Sequence, residues 1–439
     1  MTSPVTKTVK FHMTFMLIAL ILGAVTGGII WLFLKAVEAG IVLLWEIFPA
    51  RMGFDAYPIV VCAAGGVIIG LWRRKFGNYP EELQDVMATV KETRRYDSRN
   101  ICVLLAAAFL PLVFGGSVGP EAGLAGIIAA LCTWMGDRFK YVLKEMKELA
   151  ETGVSASLSI LFTAPLFGFM AQIEGEGENI SFPNRIKVIV YFCAMLSGLG
   201  VLISLTSAFG GGLSVERFDQ AIISRHEIIW FLPLALFAAA AGCLYHLLDR
   251  LVRFAANPLQ RYPVISSLLG GLLLGLCGMF IPLLMFSGES QMGDIMASWK
   301  SMTPVFLFAL GFFKLLMINV CMHTGWRGGH ILPVVFSGVC FGYGLAALTG
   351  VNSAFAVAIV TTALCSAVMG KPIAVIMIML IFFPAKDIIA LSLAALLGAC
   401  APFVSSLLKR QSAGLDILRS VADNGESCKE DDRCGQAGG

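Results

Sequence analysis

Charged side chains are scarce in this sequence, because Asp, Glu, Lys and Arg together make up only 14% of its 439 residues. In a typical soluble domain, charged residues make up about a quarter of the chain. The formal net charge of +3 at pH 7 leaves no basic excess, which excludes a nucleic-acid-binding protein. Hydrophobic residues reach 57%, more than a soluble fold of this length can bury. The composition therefore excludes a cytosolic enzyme and predicts a membrane protein that crosses the bilayer several times.

Metal-ligand patterns are missing as well. Ten of the 12 cysteines lie in apolar sequence without ligand spacing, and only Cys428 and Cys434 lie in a polar tail. Cysteines in apolar sequence are small packing residues, and two thiols without a nearby histidine make a poor zinc site. We therefore expect no metal site and no cofactor, and a secreted disulfide scaffold is excluded.

Apolar runs near the length of about 18–20 residues that spans a bilayer recur along the chain. The first, from about Met13 to Leu34, is longer than the roughly 7–15-residue core of a signal peptide and is predicted to be the first membrane helix. Later segments are shorter, and Gly or Pro interrupts many of them. Non-helical backbone at membrane depth must be buried in protein or line a watery cavity. The pattern therefore favours an all-α protein with helices that end partway through the membrane.

Basic clusters predict the orientation of the chain. Under the positive-inside rule, clusters such as residues 73–75 (Arg-Arg-Lys) mark cytoplasmic loops, and basic residues near both chain ends place both termini in the cytoplasm. We expect a cytoplasmic N-terminus over residues 1–12, two membrane half-repeats over 13–210 and 211–410, and a disordered cytoplasmic tail over 411–439.

A repeat supports the division into two halves. The sequence Gly-Gly-Ser-Val-Gly-Pro at residues 115–120 returns as Gly-Gly-His-Ile-Leu-Pro at residues 328–333, and each copy opens an apolar helix. A second pair, Thr-Ala-Pro-Leu at 163–166 and Gly-Lys-Pro-Ile at 370–373, follows in the same order. Duplicated membrane halves with interrupted helices place their substrate at the interface of the repeats.

The two Gly-Gly-x-x-x-Pro motifs have the chemistry of an anion site. Glycine lets the backbone turn tightly and approach an ion without a Cβ, and proline suits the first turn of the helix that follows. Two helix N-termini aimed at one point would hold a small anion through N–H groups and the helix dipoles. The alternative is a pair of ordinary helix starts packed against neighbours. The candidate anion-binding residues are Gly116, Ser117, Val118, Gly119 and Pro120 in the first motif, and Gly328, Gly329, His330, Ile331 and Leu332 in the second.

These motifs carry a resemblance to a known family. Residues 116–120 resemble the Gly-Lys/Arg-Glu-Gly-Pro signature of the CLC chloride channels and transporters, and residues 328–333 resemble its Gly-Gly-x-Phe-x-Pro signature. The resemblance implies a homodimer with about 18 helices per subunit, two inverted halves, and one anion pathway in each subunit. Three further segments match in order, at residues 77–81, at 162–168 with Glu174 after them, and at 402–405.

The sequence departs from the family pattern at the side chains that contact the anion. The family's gating glutamate falls at Val118, which cannot titrate, and the internal proton-transfer glutamate of the exchangers falls near Gly175, one residue after Glu174. The resemblance places the family's anion-contacting serine near Gly77 or Asn78 and its anion-contacting tyrosine at Val404. These residues and Tyr79 are candidates for an inner pathway.

Val118, Glu121 and Glu174 are the candidates for a gate or a proton path, and His330 is a candidate for attracting anions in a pH-dependent way. Glu121 lies one helical turn after Val118, and an ionisable group so near a membrane anion site is a functional candidate; the alternative is a carboxylate that stabilises its own helix N-terminus. Glu174 either lines an inner vestibule or belongs to a solvated acidic loop. His330 either attracts anions as an imidazolium or is neutral and hydrogen-bonded.

The sequence predicts transport rather than catalysis. The leading hypothesis is passive conduction of chloride or similar small monovalent anions through a homodimer in the plasma membrane, with anions and lipid as its partners. The first alternative is a proton-coupled chloride or fluoride exchanger that uses Glu121 or Glu174. The second alternative is a membrane sensor or scaffold that does not transport.

Overall fold

The computed structural model is built from α-helices, and the residues it describes form no β-sheet. The 16 named α-helices and one further helical stretch are close to the expected count of about 18, and the expected all-α architecture is confirmed. The structure describes residues 4–52, 56–81, 83–93, 96, 101–138, 149–174, 185–212 and 216–401.

The helices of the first half range from 5 to 38 residues in length. Their order is α1 (Pro4–Ile41), a π-helical turn (Val42–Ile47), α2 (Phe48–Met52), α3 (Tyr57–Phe76), α4 (Leu83–Thr93), α5 (Ile101–Val113), α6 (Glu121–Arg138), α7 (Leu149–Leu161), α8 (Phe167–Ile173) and α9 (Arg185–Phe209).

The helices of the second half also differ in length, from 10 to 32 residues. Its helices are α10 (Arg225–Ala256), α11 (Pro263–Phe280), α12 (Glu289–Ser298), α13 (Pro304–Thr324), α14 (Ile331–Thr349), α15 (Ser353–Met369) and α16 (Pro372–Phe382), and residues 388–401 form α17.

Six helical segments are long and apolar enough to cross a membrane, including most of α1, all of α13 and all of α14. Four shorter apolar helices are not. The seven residues of α8 rise only about 10 Å, a third of the roughly 30 Å hydrocarbon core. The chain is therefore an integral membrane protein that contains both complete spans and partial spans.

Each repeated motif is a break between two helices. The first Gly-Gly motif separates α5 from α6, and the second separates α13 from α14. The Thr-Ala-Pro-Leu segment lies between α7 and α8, and Gly370 and Lys371 lie between α15 and α16. The expected interrupted helices are present, and glycine and proline explain where they stop.

The centre of the molecule is formed by α14 and α15. Every residue of α14 from Ile331 to Gly344 is buried, and α15 is buried from Phe355 to Val368. The pairs α1–α9 and α3–α11 pack on the outside, where many of their apolar side chains are exposed. Since α14 begins at the second Gly-Gly motif, this motif lies deep inside the protein.

Candidate anion pathway

The two Gly-Gly motifs meet, although they are more than 200 residues apart in the chain. The Gly119 N–H donates to the Gly329 carbonyl oxygen at 2.7 Å, and the Gly329 N–H donates to the Gly119 carbonyl oxygen at 2.7 Å. A Cβ on Gly328 would approach the Val118 side chain to 2.6 Å, so glycine is needed for this close approach. Each of these two N–H groups donates to the carbonyl oxygen of the other glycine, so neither is free to bind an ion.

Glu121 links the first motif to the start of α14. Its side chain is fully buried, and its Oε1 accepts the Ile331 N–H at 2.8 Å. The residue before α14, His330, makes no side-chain cap, so the carboxylate of Glu121 supplies the cap from the other half of the molecule. Its second oxygen, Oε2, has no hydrogen-bond partner among the described residues. The carboxylate thus lies where an anion at this N-terminus would bind.

Ser117 and Val118 are both fully buried in the first motif. The hydroxyl of Ser117 has no hydrogen-bond partner within the described residues, which is uncommon for a buried polar group and calls for a ligand, a water or a functional reason. The neighbouring Val118 lines a cavity and has no group that titrates. The first motif therefore contains one hydroxyl donor without a partner in the described structure, that of Ser117, and one side chain that cannot titrate, that of Val118.

A cavity of about 760 Å³ opens onto the first motif. Gly116, Val118 and Pro120 form part of its wall, and Phe286 lies beside them. We call it the acidic cavity because its wall includes the carboxylates Glu38, Glu46 and Glu289.

A second cavity of about 640 Å³ is lined by Gly77 and Asn78, two of the candidates for an inner pathway. We call it the arginine cavity because Arg73, Arg74 and Arg261 line it. Tyr79 follows Asn78 but is not among the lining residues, and Val404 lies outside the described residues.

Glu174 lies at the second pair of motifs. Its Oε1 accepts the Ile373 N–H and its Oε2 accepts the Ala374 N–H, both at 2.7 Å. These N–H groups belong to the first turn of α16, where they have no partner within the helix. The carboxylate therefore caps α16, and it lines neither of the two cavities described above.

His330 lies beside polar residues that sequence reasoning did not connect with it. Its ring centroid is 6.3 Å from that of Tyr245. Farther along α10, Asp249 pairs with His323 at 2.7 Å, and His246 contacts the Ala367 carbonyl oxygen at 3.1 Å. No local signal predicts this group, because its members come from α10, from α13 and from the turn before α14.

Lys314 is a second feature that the motifs did not reveal. It is fully buried in α13, and its Nζ donates to the carbonyl oxygens of Leu284, Met285 and Phe286 at 3.2, 3.0 and 2.8 Å. The Phe286 N–H in turn donates to the Gly115 carbonyl oxygen at 3.1 Å. Lys314 thus fixes the segment that packs on the first motif.

Among the residues that the structure describes, no group of three or more His, Cys, Asp or Glu side chains is placed to hold a metal ion. The chemistry that the site offers is hydrogen bonding and charge.

Comparison with known proteins identifies relatives for most of the chain. Residues 65–402 match the family model of the voltage gated chloride channel. An ion-transport protein, YfeO, of Salmonella schwarzengrund is 24% identical over 340 residues, which cover 74% of this chain and 78% of that protein. The YfeO protein of an Escherichia coli strain is 26% identical over 312 residues, with 68% and 71% covered.

Solved structures show the same fold. A CLC-type fluoride/proton antiporter superposes with a TM-score of 0.72 at 16% identity and covers 91% of this chain and 96% of its own. A slow cyanobacterial Cl⁻/H⁺ antiporter gives the same TM-score and identity and covers 91% and 98%.

Proposed function

Because the chain belongs to the voltage-gated chloride channel (CLC) family, we propose that it conducts chloride or similar small monovalent anions passively across the membrane. The path would run from the acidic cavity, past the paired glycines, to the arginine cavity. One observation carries the proposal: Val118, which lines the acidic cavity, stands where the resemblance implies a titratable gate. A valine there cannot exchange a proton for each anion that passes.

Two groups would contact the anion in this pathway. The Ser117 hydroxyl is a buried donor without a partner in the described structure, and a passing anion would supply the acceptor. The N–H groups at the start of α14 favour negative charge because of the helix dipole. An anion reaches the Ile331 N–H only when the Glu121 carboxylate moves away, so Glu121 would compete with the transported ion.

A second candidate function is proton-coupled anion exchange, and the position of Glu121 favours it. A buried carboxylate at the Ile331 N–H could carry a proton each time an anion replaces it. Glu174 is a weaker candidate for this role because both of its oxygens hold the first turn of α16. The two superposed structures named above are proton antiporters.

Flux from liposomes tests the proposal. Protein reconstituted with an outward chloride gradient should release chloride when the potassium ionophore valinomycin provides charge balance. The external pH should stay constant, because no proton moves with the anion. A proton flux in fixed ratio to chloride would support the exchanger instead, and the Glu121→Gln variant would then lose this proton flux while the matched Glu174→Gln variant keeps it.

The proposal extends to assembly and location. We propose a homodimer in the plasma membrane with both termini in the cytoplasm, and the arginine cavity on the cytoplasmic side, because residues 73–75 at the end of α3 are basic. Cysteine labelling from outside the cell tests the orientation: a cysteine introduced at Arg74 should stay unlabelled by a membrane-impermeant reagent.

A further inference from the structure

The arginine cavity has a charge that the pathway alone does not explain. Arg73, Arg74 and Arg261 line it, together with Asn78 and Gln260, and none of its lining residues is acidic. Within the described structure, no ion pair joins these arginines to a carboxylate.

Arg73 is the central residue of this cavity. Its side chain is only 5% exposed, yet its guanidinium donates to neutral acceptors alone. These are Asn78 Oδ1 at 2.9 Å, Thr324 O at 2.9 Å, Gln260 Oε1 at 3.0 Å and Ser267 Oγ at 3.1 Å. A buried charge is normally paired with an opposite charge, so this one calls for an anion.

A second guanidinium converges on the same point. Arg327 donates to the Asn78 carbonyl oxygen at 3.3 Å, while Arg73 holds the Asn78 side chain. Gly325 has a φ of +101°, and a Cβ there would overlap the guanidinium of Arg73, so the backbone leaves room for the arginine. Arg327 directly precedes the second Gly-Gly motif, and the cationic group is therefore joined to the pathway.

We propose that the arginine cavity binds a polyvalent phosphate-type oxyanion, which blocks anion conduction from that side. Guanidinium groups bind the oxygens of phosphate in paired, charge-assisted hydrogen bonds. A polyvalent ion is attracted more strongly than chloride because the Coulomb energy grows with its charge. It is too large to pass the paired glycines, whose backbones approach to hydrogen-bonding distance. The blocking role rests on the proposed conduction, but the binding does not.

Binding of inorganic pyrophosphate to the full-length protein in detergent tests the site. Calorimetry should show that the wild type binds pyrophosphate. The double variant Arg74→Gln, Arg261→Gln should bind it at least about tenfold more weakly. A tenfold change in affinity corresponds to about 1.4 kcal/mol, and the loss of two charge-assisted contacts accounts for a change of that size. Both arginines are exposed, so their replacement leaves the core intact. Arg225→Gln is the control, because it removes a positive charge at the opposite end of α10, away from the cavity, and should keep wild-type affinity.

Flux measurements separate the block from the binding and identify the source of the phosphate. Pyrophosphate on both sides of phosphatidylcholine liposomes should slow chloride efflux through the wild type more than through the double variant. If adding phosphatidic acid, whose phosphomonoester headgroup can carry two negative charges, abolishes the pyrophosphate effect, a lipid headgroup is the natural occupant of the same site. Equal pyrophosphate affinity in the wild type and the double variant, or no binding to the wild type, would overturn the proposal. A protein that binds pyrophosphate as expected but carries no chloride would refute the proposed function alone.

Discussion

Replacing Glu121 by glutamine removes one charge from the centre of the pathway with almost no change of shape. The glutamine keeps an oxygen that accepts the Ile331 N–H, the hydrogen bond that is 2.8 Å long in the wild type. The new amide group takes the place of Oε2, which has no hydrogen-bond partner in the described structure. The variant therefore tests the charge rather than the packing.

The size of the effect follows from the hydrogen bond that the anion must replace. A hydrogen bond to a charged group contributes about 1.5–3 kcal/mol, and a neutral one about 0.5–1.5 kcal/mol. The difference of roughly 1–1.5 kcal/mol corresponds to about tenfold in an equilibrium constant. We therefore expect Glu121→Gln to bind chloride about tenfold more tightly at the start of α14.

The assay is chloride efflux from liposomes as a function of chloride concentration and pH. Wild-type efflux should rise as the pH falls, because protonation removes the charge of Glu121. Efflux through Glu121→Gln should lack this pH-dependent step. A His330→Ala variant is the control for titration of the imidazole, and it should keep the step. If wild type and Glu121→Gln share the same pH profile and the same chloride dependence, Glu121 does not compete with the anion and the reasoning is wrong.

Three further predictions concern the motifs. Gly329→Ala should abolish efflux because its Cβ would overlap the Glu121 carboxyl, whereas Gly200→Ala, whose Cβ meets no atom within 4 Å, should conduct normally; equal efflux from both variants contradicts the paired-glycine geometry. Val118→Glu should make conduction rise more steeply as the pH falls, and an unchanged pH profile would mean that residue 118 does not line the path. Glu174→Gln should lower the stability measured by thermal unfolding by about 1 kcal/mol, the usual contribution of a helix cap, without stopping efflux; complete loss of efflux in a folded protein would place Glu174 in the path.

The sequence predicted the interrupted helices because their signals are local. Glycine and proline end a helix wherever they occur, so the breaks before α6 and α14 could be located from residues 115–120 and 328–333 alone. The contact between these breaks is not local. Pairing of Gly119 with Gly329 takes up N–H groups that the sequence analysis assigned to the ion, and no residue pattern predicts it.

The roles of the charged residues were harder to predict, because the identity of a residue does not reveal which groups it hydrogen-bonds in the fold. Glu121 is predicted from the sequence either as a gate or as a carboxylate at its own helix N-terminus, and neither prediction reveals that its carboxylate caps α14 from the other half. Arg73 was one of three basic residues in a cytoplasmic cluster, yet its side chain is buried against four neutral acceptors. A cluster of basic residues in the sequence does not show which arginine is buried and which is exposed, and only the fold distinguishes them.

Simultaneous recording of chloride and proton movement from liposomes containing the wild-type protein tests the central claim most directly. Passive conduction predicts chloride efflux down its gradient while the external pH stays constant, even when a proton gradient is imposed. Protons driven against their own gradient by chloride would contradict it and establish exchange. Liposomes that retain their chloride would contradict transport altogether.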